Sequence, residues 1–460
     1  MASPLRFCGT LAAVFAISCG GKVTVEYGVE IASGGSGPDA STHTGGKSGV
    51  GGMGGSGGSG ASGASGAGGE GGTSGAGGMS GTGGMSGAGG AAGTPSACAI
   101  EVASGTEHAC AIRSDHTLWC WGSNEQDQLG GSSEALGPQQ VTNLGQEVAR
   151  IALGDTHTCA QKLDGTLWCW GSNVHAELAI GNGTDTPNFV PTPTLVSALG
   201  SDVLQLEAGS SRACARRSDN TVWCWGAEFS SDWPTATPPT VIETLDSQVA
   251  EVATSRHTCA RKYDQSLWCW GRNNDGQIGS GTTADSPEPM QVIALADQTS
   301  HFDVGTYHTC VVKKDHTLWC WGSNLHGQIA NWAPGPLNCG VGPCPNPVPV
   351  TELGAQVARV AAGVYHTCAI RLDGTLWCWG HNDHGQVGDG TQNINVFAPV
   401  QVATVGSQVA QVAPGLHHTC ARGNDGALWC WGLNDQGQLG DGTTTDSPLP
   451  VQVALACPWQ

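Results

Sequence analysis

The chain has 460 residues and is rich in three residue types, with 72 Gly, 20 Cys and 17 Trp. It carries 18 Lys and Arg against 38 Asp and Glu, which gives a formal net charge of −20. Nucleic-acid binding depends on Lys and Arg contacts to phosphates, and anionic membranes attract polybasic segments. This charge balance therefore disfavours a nucleic-acid partner and a direct contact with lipid headgroups.

Residues 1–19 are predicted to be a lipoprotein signal peptide. Arg6 precedes the apolar stretch LAAVFAI, which is too short to span a bilayer. The sequence AISC, ending at Cys19, resembles the lipobox of bacterial lipoproteins, in which the cysteine is diacylated and becomes the new N-terminus. An ordinary signal peptide cut nearby is the alternative. The resemblance implies export to the bacterial cell envelope, on the outer membrane or cell surface, with the lipid as the sole membrane anchor.

Residues 20–95 are predicted to be a disordered linker rich in Gly and Ser. From residue 33 onward nearly every residue is Gly, Ser, Ala or Thr, as in GGMGGSGGSGASGASGAGG. Such a composition cannot bury a core and behaves as a flexible coil. We expect this segment to act as a leash that lifts residues 96–460 off a surface.

The segment 96–460 is built from seven repeats, which decides the fold prediction. Most units read V-A-x-V-A-x-G-x-x-H-T-C-A, then D-G-T, then L-W-C-W-G-x-N, then G-Q-L-G-x-G-T and P-x-x-V. Unit three has Arg212 in place of the His and lacks GQLG, and unit five inserts NWAPGPLNCGVGPCPNP. The tetrapeptide WCWG begins at Trp119, Trp168, Trp223, Trp268, Trp319, Trp377 and Trp429.

Each unit is predicted to be β throughout. Runs such as VAQVA and PVQV alternate in the manner of strands, and residues 367–379 have the pattern of a hairpin. Its loop fits a type I turn followed by a residue with positive φ. That position holds Gly165, Gly374 and Gly426, tolerates Asn220, and suits His116, Gln265 and His316 poorly. Three or four short strands in each of seven units predict an all-β, seven-bladed propeller.

The repeat resembles the regulator-of-chromosome-condensation repeat family. The resemblance rests on G-x-x-H-T followed by D-G-x-L-W-x-W-G-x-N and G-Q-L-G-x-G, in seven copies over residues 98–457. It implies a seven-bladed propeller, and it implies that the repeated His is a buried imidazole bonded to the backbone. A tryptophan-based light sensor exists in this family, but its G-W-R-H-T motif is absent here. Fold alone does not establish function.

Fourteen of the 20 cysteines form pairs that share one spacing of ten residues. In the predicted hairpin the two members are directly opposite on paired strands, within disulfide range, and export favours oxidation. Zinc held by His366, Cys368 and Cys378 is the alternative, but unit three loses the His and keeps both cysteines. We predict disulfides and no metal site. The pairs are Cys110–Cys120, Cys159–Cys169, Cys214–Cys224, Cys259–Cys269, Cys310–Cys320, Cys368–Cys378 and Cys420–Cys430.

Two further disulfides are predicted at special places in the repeat region. Cys98 opens the region and Cys457 nearly ends it, so a bond between them would close the ring covalently. Cys339 and Cys344 lie in the insertion of unit five, where a bond would staple that loop.

No residue pattern indicates catalysis or a cofactor. The 14 Trp of the WCWG motifs are expected to pack between blades. The D-G-T motifs suit turns better than calcium, since no D-x-D-x-D-G loop is present. The repeated His suggests scaffold rather than a unique base, so we expect no enzyme activity.

We interpret the chain as a monomeric surface or periplasmic binding module that presents a propeller face to a protein or a glycan. The alternatives are a secreted propeller enzyme acting on glycans and a purely structural envelope protein. Repeat scaffolds vary the loops that meet a partner, and units three and five depart furthest. Their aromatic residues outside WCWG are the candidate binding residues: Phe229, Trp233 and Trp332.

Overall fold

The computed structural model describes residues 99–131, 135–180, 187–227, 236–331 and 339–455. These residues form seven antiparallel sheets, each made of four strands that follow one another in the chain. The first strands of neighbouring sheets contact each other, and the last sheet contacts the first. The predicted seven-bladed all-β propeller is confirmed. The predicted signal peptide and linker lie outside the described residues.

Each blade runs from a first strand beside the central channel to a fourth strand at the periphery. The first strands are β1 (Ala99–Ser104), β5 (Val148–Leu153), β9 (Val203–Ala208), β13 (Val249–Thr254), β17 (Thr299–Val304), β21 (Val357–Ala362) and β25 (Val409–Pro414). The second strands are β2 (His108–Arg113), β6 (His157–Lys162), β10 (Arg212–Arg217), β14 (His257–Lys262), β18 (His308–Lys313), β22 (His366–Arg371) and β26 (His418–Gly423).

The third strands carry the WCWG motifs, and the fourth strands complete the blades. The third strands are β3 (Leu118–Gly122), β7 (Leu167–Ser172), β11 (Val222–Ala227), β15 (Leu267–Gly271), β19 (Leu318–Ser323), β23 (Leu376–His381) and β27 (Leu428–Gly432). The fourth strands are β4 (Ala135–Gln140), β8 (Phe189–Leu195), β12 (Ala236–Val241), β16 (Ser286–Gln291), β20 (Pro343–Val350), β24 (Asn395–Gln401) and β28 (Ser447–Gln452). Short 3-10 turns follow five of the blades, at Thr142–Leu144, Ser197–Leu199, Glu243–Leu245, Ile293–Leu295 and Ala403–Val405.

In all seven hairpins between second and third strands, the residue at the predicted position has a positive φ. This includes the three residues whose side chains suit that conformation poorly. His116 has φ 61° and His316 has φ 64°. His116 Nδ1 lies 3.0 Å from Val148 O, and His316 Nδ1 lies 3.2 Å from Val357 O. Both oxygens belong to the backbone of the next blade. Because a carbonyl can only accept, each imidazole donates its Nδ1–H. This bond between blades offsets the backbone cost of a non-glycine residue in that conformation.

The glycine that ends WCWG is required by close backbone approach. Gly122 has φ 97°, and a Cβ there would lie 2.6 Å from the Glu107 oxygen and 2.9 Å from the Cα of His108. The sheet register also shifts between Cys120 and Gly122. The third strand therefore bends at this glycine, and the chain leaves toward the fourth strand.

The blades pack with the disulfide face of one against the tryptophan face of the next. The core around Cys110 and Cys120 of the first blade includes Trp170 of the second. The second Trp of each WCWG is 0–1% exposed, and Trp170 Nε1 donates to Gln128 O of the preceding blade at 2.9 Å. This confirms the predicted packing of Trp between blades, and the indole N–H also finds a partner there.

Non-covalent contacts join the last blade to the first. The Gln411 side chain accepts from Val102 N at 3.2 Å and donates to Val102 O at 2.8 Å. Trp121 Nε1 donates to Gln438 O at 2.9 Å. We call the contact region between two neighbouring blades a seam. The seam between the last and first blades thus has the same kind of contacts as the other seams. Within the described ranges, no helix has the length and apolar character needed to cross a bilayer.

Candidate functional site

The propeller has two faces with different loops. The connections from first to second strand and from third to fourth strand meet on one face, which we call the loop face; Ser123 N bonds to Glu107 O there. The second-to-third hairpins lie on the opposite face, which we call the hairpin face; Val148 N bonds to His116 O there. The connections that contain Phe229, Trp233 and Trp332 run from third to fourth strands. These three residues lie outside the described residues.

The structure joins each of the seven ten-spaced cysteine pairs as a disulfide. Their members are directly opposite in the paired strands, as at Cys368 and Cys378, with Cα atoms 4.1 Å apart in every pair. Cys339 and Cys344 also form a disulfide. Sulfur atoms joined in this way are not thiolates, so the structure favours the disulfides over the zinc alternative. Cys19, Cys98 and Cys457 lie outside the described part of the chain.

The repeated histidines belong to the seams between blades. His257 is 0% exposed, and its Nε2 lies 2.6 Å from Thr309 Oγ1 of the next blade. Thr309 Oγ1 in turn donates to Gln277 O at 2.7 Å, so the hydroxyl accepts from the imidazole Nε2–H. His108, His308 and His366 make the same bond, to Thr158, Thr367 and Thr419. For these four, the expected backbone partner is wrong, because a threonine hydroxyl takes that place.

Burial keeps these seam histidines neutral. Removal from water lowers the pKa of His257 and His308 to about 3. The Asp of the D-G-T motifs is likewise structural, since Asp373 Oδ1 accepts from Thr375 N at 3.0 Å and from its Oγ1 at 2.6 Å. The residues that recur through the repeat therefore make structural contacts within and between the blades.

The loop face differs from blade to blade, and a cluster of Tyr, His and Asp side chains lies at its fifth to seventh blades. We call six of these residues the rim cluster: His326, Tyr365, His381, Asp383, His384 and His417. Positions equivalent to Tyr365 and His417 hold Glu107, Thr156 and Ser211 in the first three blades, and positions equivalent to His381 hold Ser123 and Ser172.

The rings of the rim cluster are in mutual contact. Tyr365 stacks on Tyr307 with centroids 5.3 Å apart and planes 9° apart. The His326 ring lies 4.3 Å from that of His381, which lies 5.6 Å from that of His417. Arg256 Nη1 donates to the Tyr307 hydroxyl at 3.0 Å, which extends the aromatic arc to the fourth blade. This arc presents flat rings and polar atoms on one side of the loop face.

Gln386 fixes the base of the rim cluster. Its Oε1 accepts from His384 N at 3.0 Å, which assigns Nε2 to the opposite side. Nε2 then lies 3.1 Å from His381 Nδ1, 3.3 Å from His417 Nδ1 and 3.2 Å from Asp383 Oδ1. The backbone oxygen of Gln386 accepts from the seam residues Thr419 and Trp431. Gln386 therefore connects the rim cluster to the seam between the sixth and seventh blades.

The imidazoles at the centre of the cluster are neutral near pH 7. Burial lowers the pKa of His381 to about 4 and also lowers the pKa of His417. Burial acts against ionisation of Asp383, but the hydrogen bond from Gln386 and the nearby imidazoles outweigh it and lower its pKa. The site thus combines neutral imidazole nitrogens with a carboxylate.

The central channel is the second polar region. A cavity of ≈ 260 Å³ is lined by Glu207, Asp303, His301 and Arg359, among others. Burial raises the pKa of Glu207 to about 8 and that of Asp303 to about 7. Asp303 accepts from Ala362 N at 2.9 Å, a bond to the next blade. Channel side chains therefore take part in contacts between neighbouring blades. For this reason the rim cluster is the better candidate for binding an external ligand.

Sequence reasoning did not single out the rim cluster. The signal was present as HNDHG in unit six and LHHT in unit seven, but the two segments are far apart in the repeat pattern. Their meeting depends on the loop geometry of adjacent blades.

The chain matches the regulator of chromosome condensation (RCC1) repeat family. One form of the repeat matches residues 99–128, 148–176, 203–230, 300–328, 357–386 and 409–438. Another form matches residues 115–161, 264–312, 315–370, 373–422 and 425–456. Together these segments cover more than half of the chain.

The curated relatives include proteins of different size. The Arabidopsis thaliana ultraviolet-B receptor UVR8 is 29% identical over 279 residues, 57% of this chain and 61% of that protein. The mouse (Mus musculus) E3 ubiquitin-protein ligase HERC2 is 29% identical over 74% of this chain but only 7% of its own length. The Arabidopsis mitochondrial RCC1 domain-containing protein RUG3 is 28% identical, over 73% of this chain and 82% of that protein. The chain spans less than two thirds of UVR8 and of HERC2.

Solved structures share the fold. Prp20p of Saccharomyces cerevisiae superposes with a TM-score of 0.65 at 19% identity, over 78% of this chain and 88% of that chain. Human WBSCR16 superposes with a TM-score of 0.63 at 21% identity, over 74% and 94%. At this level of identity the likeness concerns the propeller fold.

Proposed function

The chain belongs to the regulator of chromosome condensation (RCC1) repeat family, and we propose that it is a binding module whose loop face holds a protein. The observation that carries the proposal is the arc formed by the rim cluster with Tyr307 and Arg256. Aromatic and Arg side chains dominate the binding energy of protein interfaces, and here they occupy the positions that hold Glu107, Thr156 and Ser211 in the first three blades.

The position of the arc supports a role in recognition. Its residues lie in loops, whereas the repeated side chains of the scaffold are used for packing between blades. Repeat proteins typically contact their partners through such loops. The connection that carries His326 also contains Trp332, one of the residues predicted from sequence to bind a partner. A propeller of this family, Prp20p, has been crystallised in work that describes its binding to Gsp1p and histones.

Location is the second part of the proposal. The lipobox-like ending at Cys19 and the Gly-rich segment 20–95 support an exported propeller on a lipid leash at the cell envelope. The prediction is that Cys19→Ala converts a detergent-phase protein into an aqueous-phase one. Aqueous partitioning of the wild-type chain would contradict the anchor while leaving the binding role to its own test.

Capture from native envelope extract tests the binding role. The full chain is compared with Tyr307→Ala/Tyr365→Ala, and with Leu163→Ala/Leu372→Ala on the hairpin face as the matched control. Leu163 and Leu372 are 59% and 51% exposed. A protein retained by the wild type and the control but lost from the tyrosine variant supports the proposal. Equal retention by all three chains would move the binding surface away from the rim arc.

A further inference from the structure

The centre of the rim cluster has more lone pairs than hydrogens to satisfy them. His381, His417 and Asp383 each place one ring nitrogen or carboxylate oxygen within 4.8 Å of those of the other two. The Gln386 amide nitrogen is within 3.3 Å of all three, but it has two hydrogens for three acceptors. If both imidazoles accept a hydrogen bond from this amide at Nδ1, one of the three atoms is therefore left without a hydrogen-bond donor.

The spacing of these atoms suits a transition-metal ion. Asp383 Oδ1 is 3.2 Å from His381 Nδ1 and 3.7 Å from His417 Nδ1. Zinc binds N and O ligands at about 2.0–2.2 Å in tetrahedral geometry, which places neighbouring donor atoms roughly 3.3–3.6 Å apart. These two separations bracket this range, and the ligand atoms of the two imidazoles lie within 4.8 Å of each other, so closure of the His417 ring toward His381 and Asp383 completes three ligands.

A second, independent observation concerns His384. Its Nδ1 lies 2.9 Å from Asp446 Oδ2, so the imidazole donates its Nδ1–H to that carboxylate. The other ring nitrogen, Nε2, lies 3.6 Å from Asp383 Oδ2. His384 therefore links the Asp446 and Asp383 carboxylates and helps to hold Asp383 beside the two imidazoles.

We propose that His381, Asp383 and His417 bind a divalent transition metal of the zinc type. Imidazole nitrogens with one carboxylate favour Zn²⁺ and its neighbours, whereas Ca²⁺ and Mg²⁺ require mostly oxygen ligands. The ligands come from the sixth and seventh blades, so the ion joins two blades at the loop face. This inference does not depend on the proposed protein-binding role, and the sequence analysis predicted no metal site.

The chain offers a matched control in His175. It occupies in the second blade the position that His384 occupies in the sixth, but the position equivalent to His381 is Ser172 there. Removing His175 therefore deletes a histidine from the same type of loop without touching the proposed ligands. His384→Ala tests the outer contact to Asp383, because loss of such a partner weakens metal binding by about 10–100-fold.

Titration calorimetry with Zn²⁺ alone, on the full chain stripped with chelator and with free thiols blocked, tests the proposal. We expect one ion per chain for the wild type and His175→Ala, visible absorption when Co²⁺ is substituted, and no comparable binding of Ca²⁺. His381→Ala/His417→Ala should lose at least about tenfold in affinity, as should Asp383→Asn, with circular dichroism used to verify folding. Absence of stoichiometric Zn²⁺ binding by the wild type, or undiminished binding by folded variants, would overturn the site.

Discussion

The seams between blades and the rim of the loop face follow opposite rules. At the seams every blade repeats the same Trp and Cys side chains, and Trp321, His308 and the Cys310–Cys320 disulfide are each 0% exposed. At the rim, equivalent positions hold Thr156 in one blade and Tyr365 or His417 in others. Repetition thus identifies residues used for packing, and departure from the repeat identifies residues available for a ligand.

The largest expected effect comes from breaking a seam at its tryptophan. Trp321→Ala removes a fully buried indole and its bond from Nε1 to Gln277 O at 2.8 Å. We expect a loss of about 3–5 kcal/mol in the free energy of unfolding. Trp321→Phe keeps much of the packing and should lose less. Chemical denaturation monitored by circular dichroism measures both, and an alanine variant as stable as the wild type would contradict the packing account.

A seam disulfide should contribute somewhat less. Replacing both members of the Cys310–Cys320 pair with Ala removes a cross-link between residues ten apart in the sequence. Loop closure of such a ring contributes at most about 2–3 kcal/mol, since the hairpin already restrains its ends. Denaturation of the double variant beside the wild type gives the difference. A larger loss would show that the sulfur atoms also matter for packing between blades.

The seam histidines predict a loss of stability in acid. Burial lowers the pKa of His257 from its ordinary value of 6.5 to about 3 in the folded protein, so its contribution is complete above pH 6.5 and is lost as pH falls below that value. At pH 5 the loss is about 2 kcal/mol for this residue. Glu207 and Asp303, whose pKa values are raised, oppose the trend between their ordinary and raised pKa values.

A variant separates the histidine from these acids. His257→Gln is less stable at pH 7 because it disturbs the bond to Thr309, but it cannot titrate. Its stability should therefore fall by about 2 kcal/mol less than that of the wild type between pH 7 and pH 5. Parallel pH profiles for the two chains would show that the pKa of His257 is not lowered.

The smallest expected effect on stability is at the loops predicted from sequence. Once a ligand is in hand, Trp332→Ala and Trp233→Ala should each weaken its binding by more than about 1 kcal/mol and leave the melting temperature nearly unchanged. Calorimetric titration and thermal melts measure the two quantities. Unaltered affinity in both variants would show that neither of these two tryptophans contacts the ligand.

The fold could be predicted because each strand position recurs seven times, so the WCWG and H-T motifs indicate the blade despite divergent units. The hairpin turn at His116 was harder to predict, because its bond to Val148 O comes from the next blade. The partner of His257 was missed for the same reason, since Thr309 belongs to another blade. The rim cluster could not be predicted, because His381 and His417 are brought together by loop geometry that periodicity does not encode.

Site-specific photocrosslinking tests the central claim that the loop face of the later blades is the binding surface. A photoreactive phenylalanine analogue is placed at Tyr365 on the loop face, and in a second chain at Leu372 on the hairpin face. Both chains are irradiated in the native envelope. The account predicts a specific adduct from position 365 and none of the same mass from position 372. The reverse pattern, or no adduct from position 365, would contradict it.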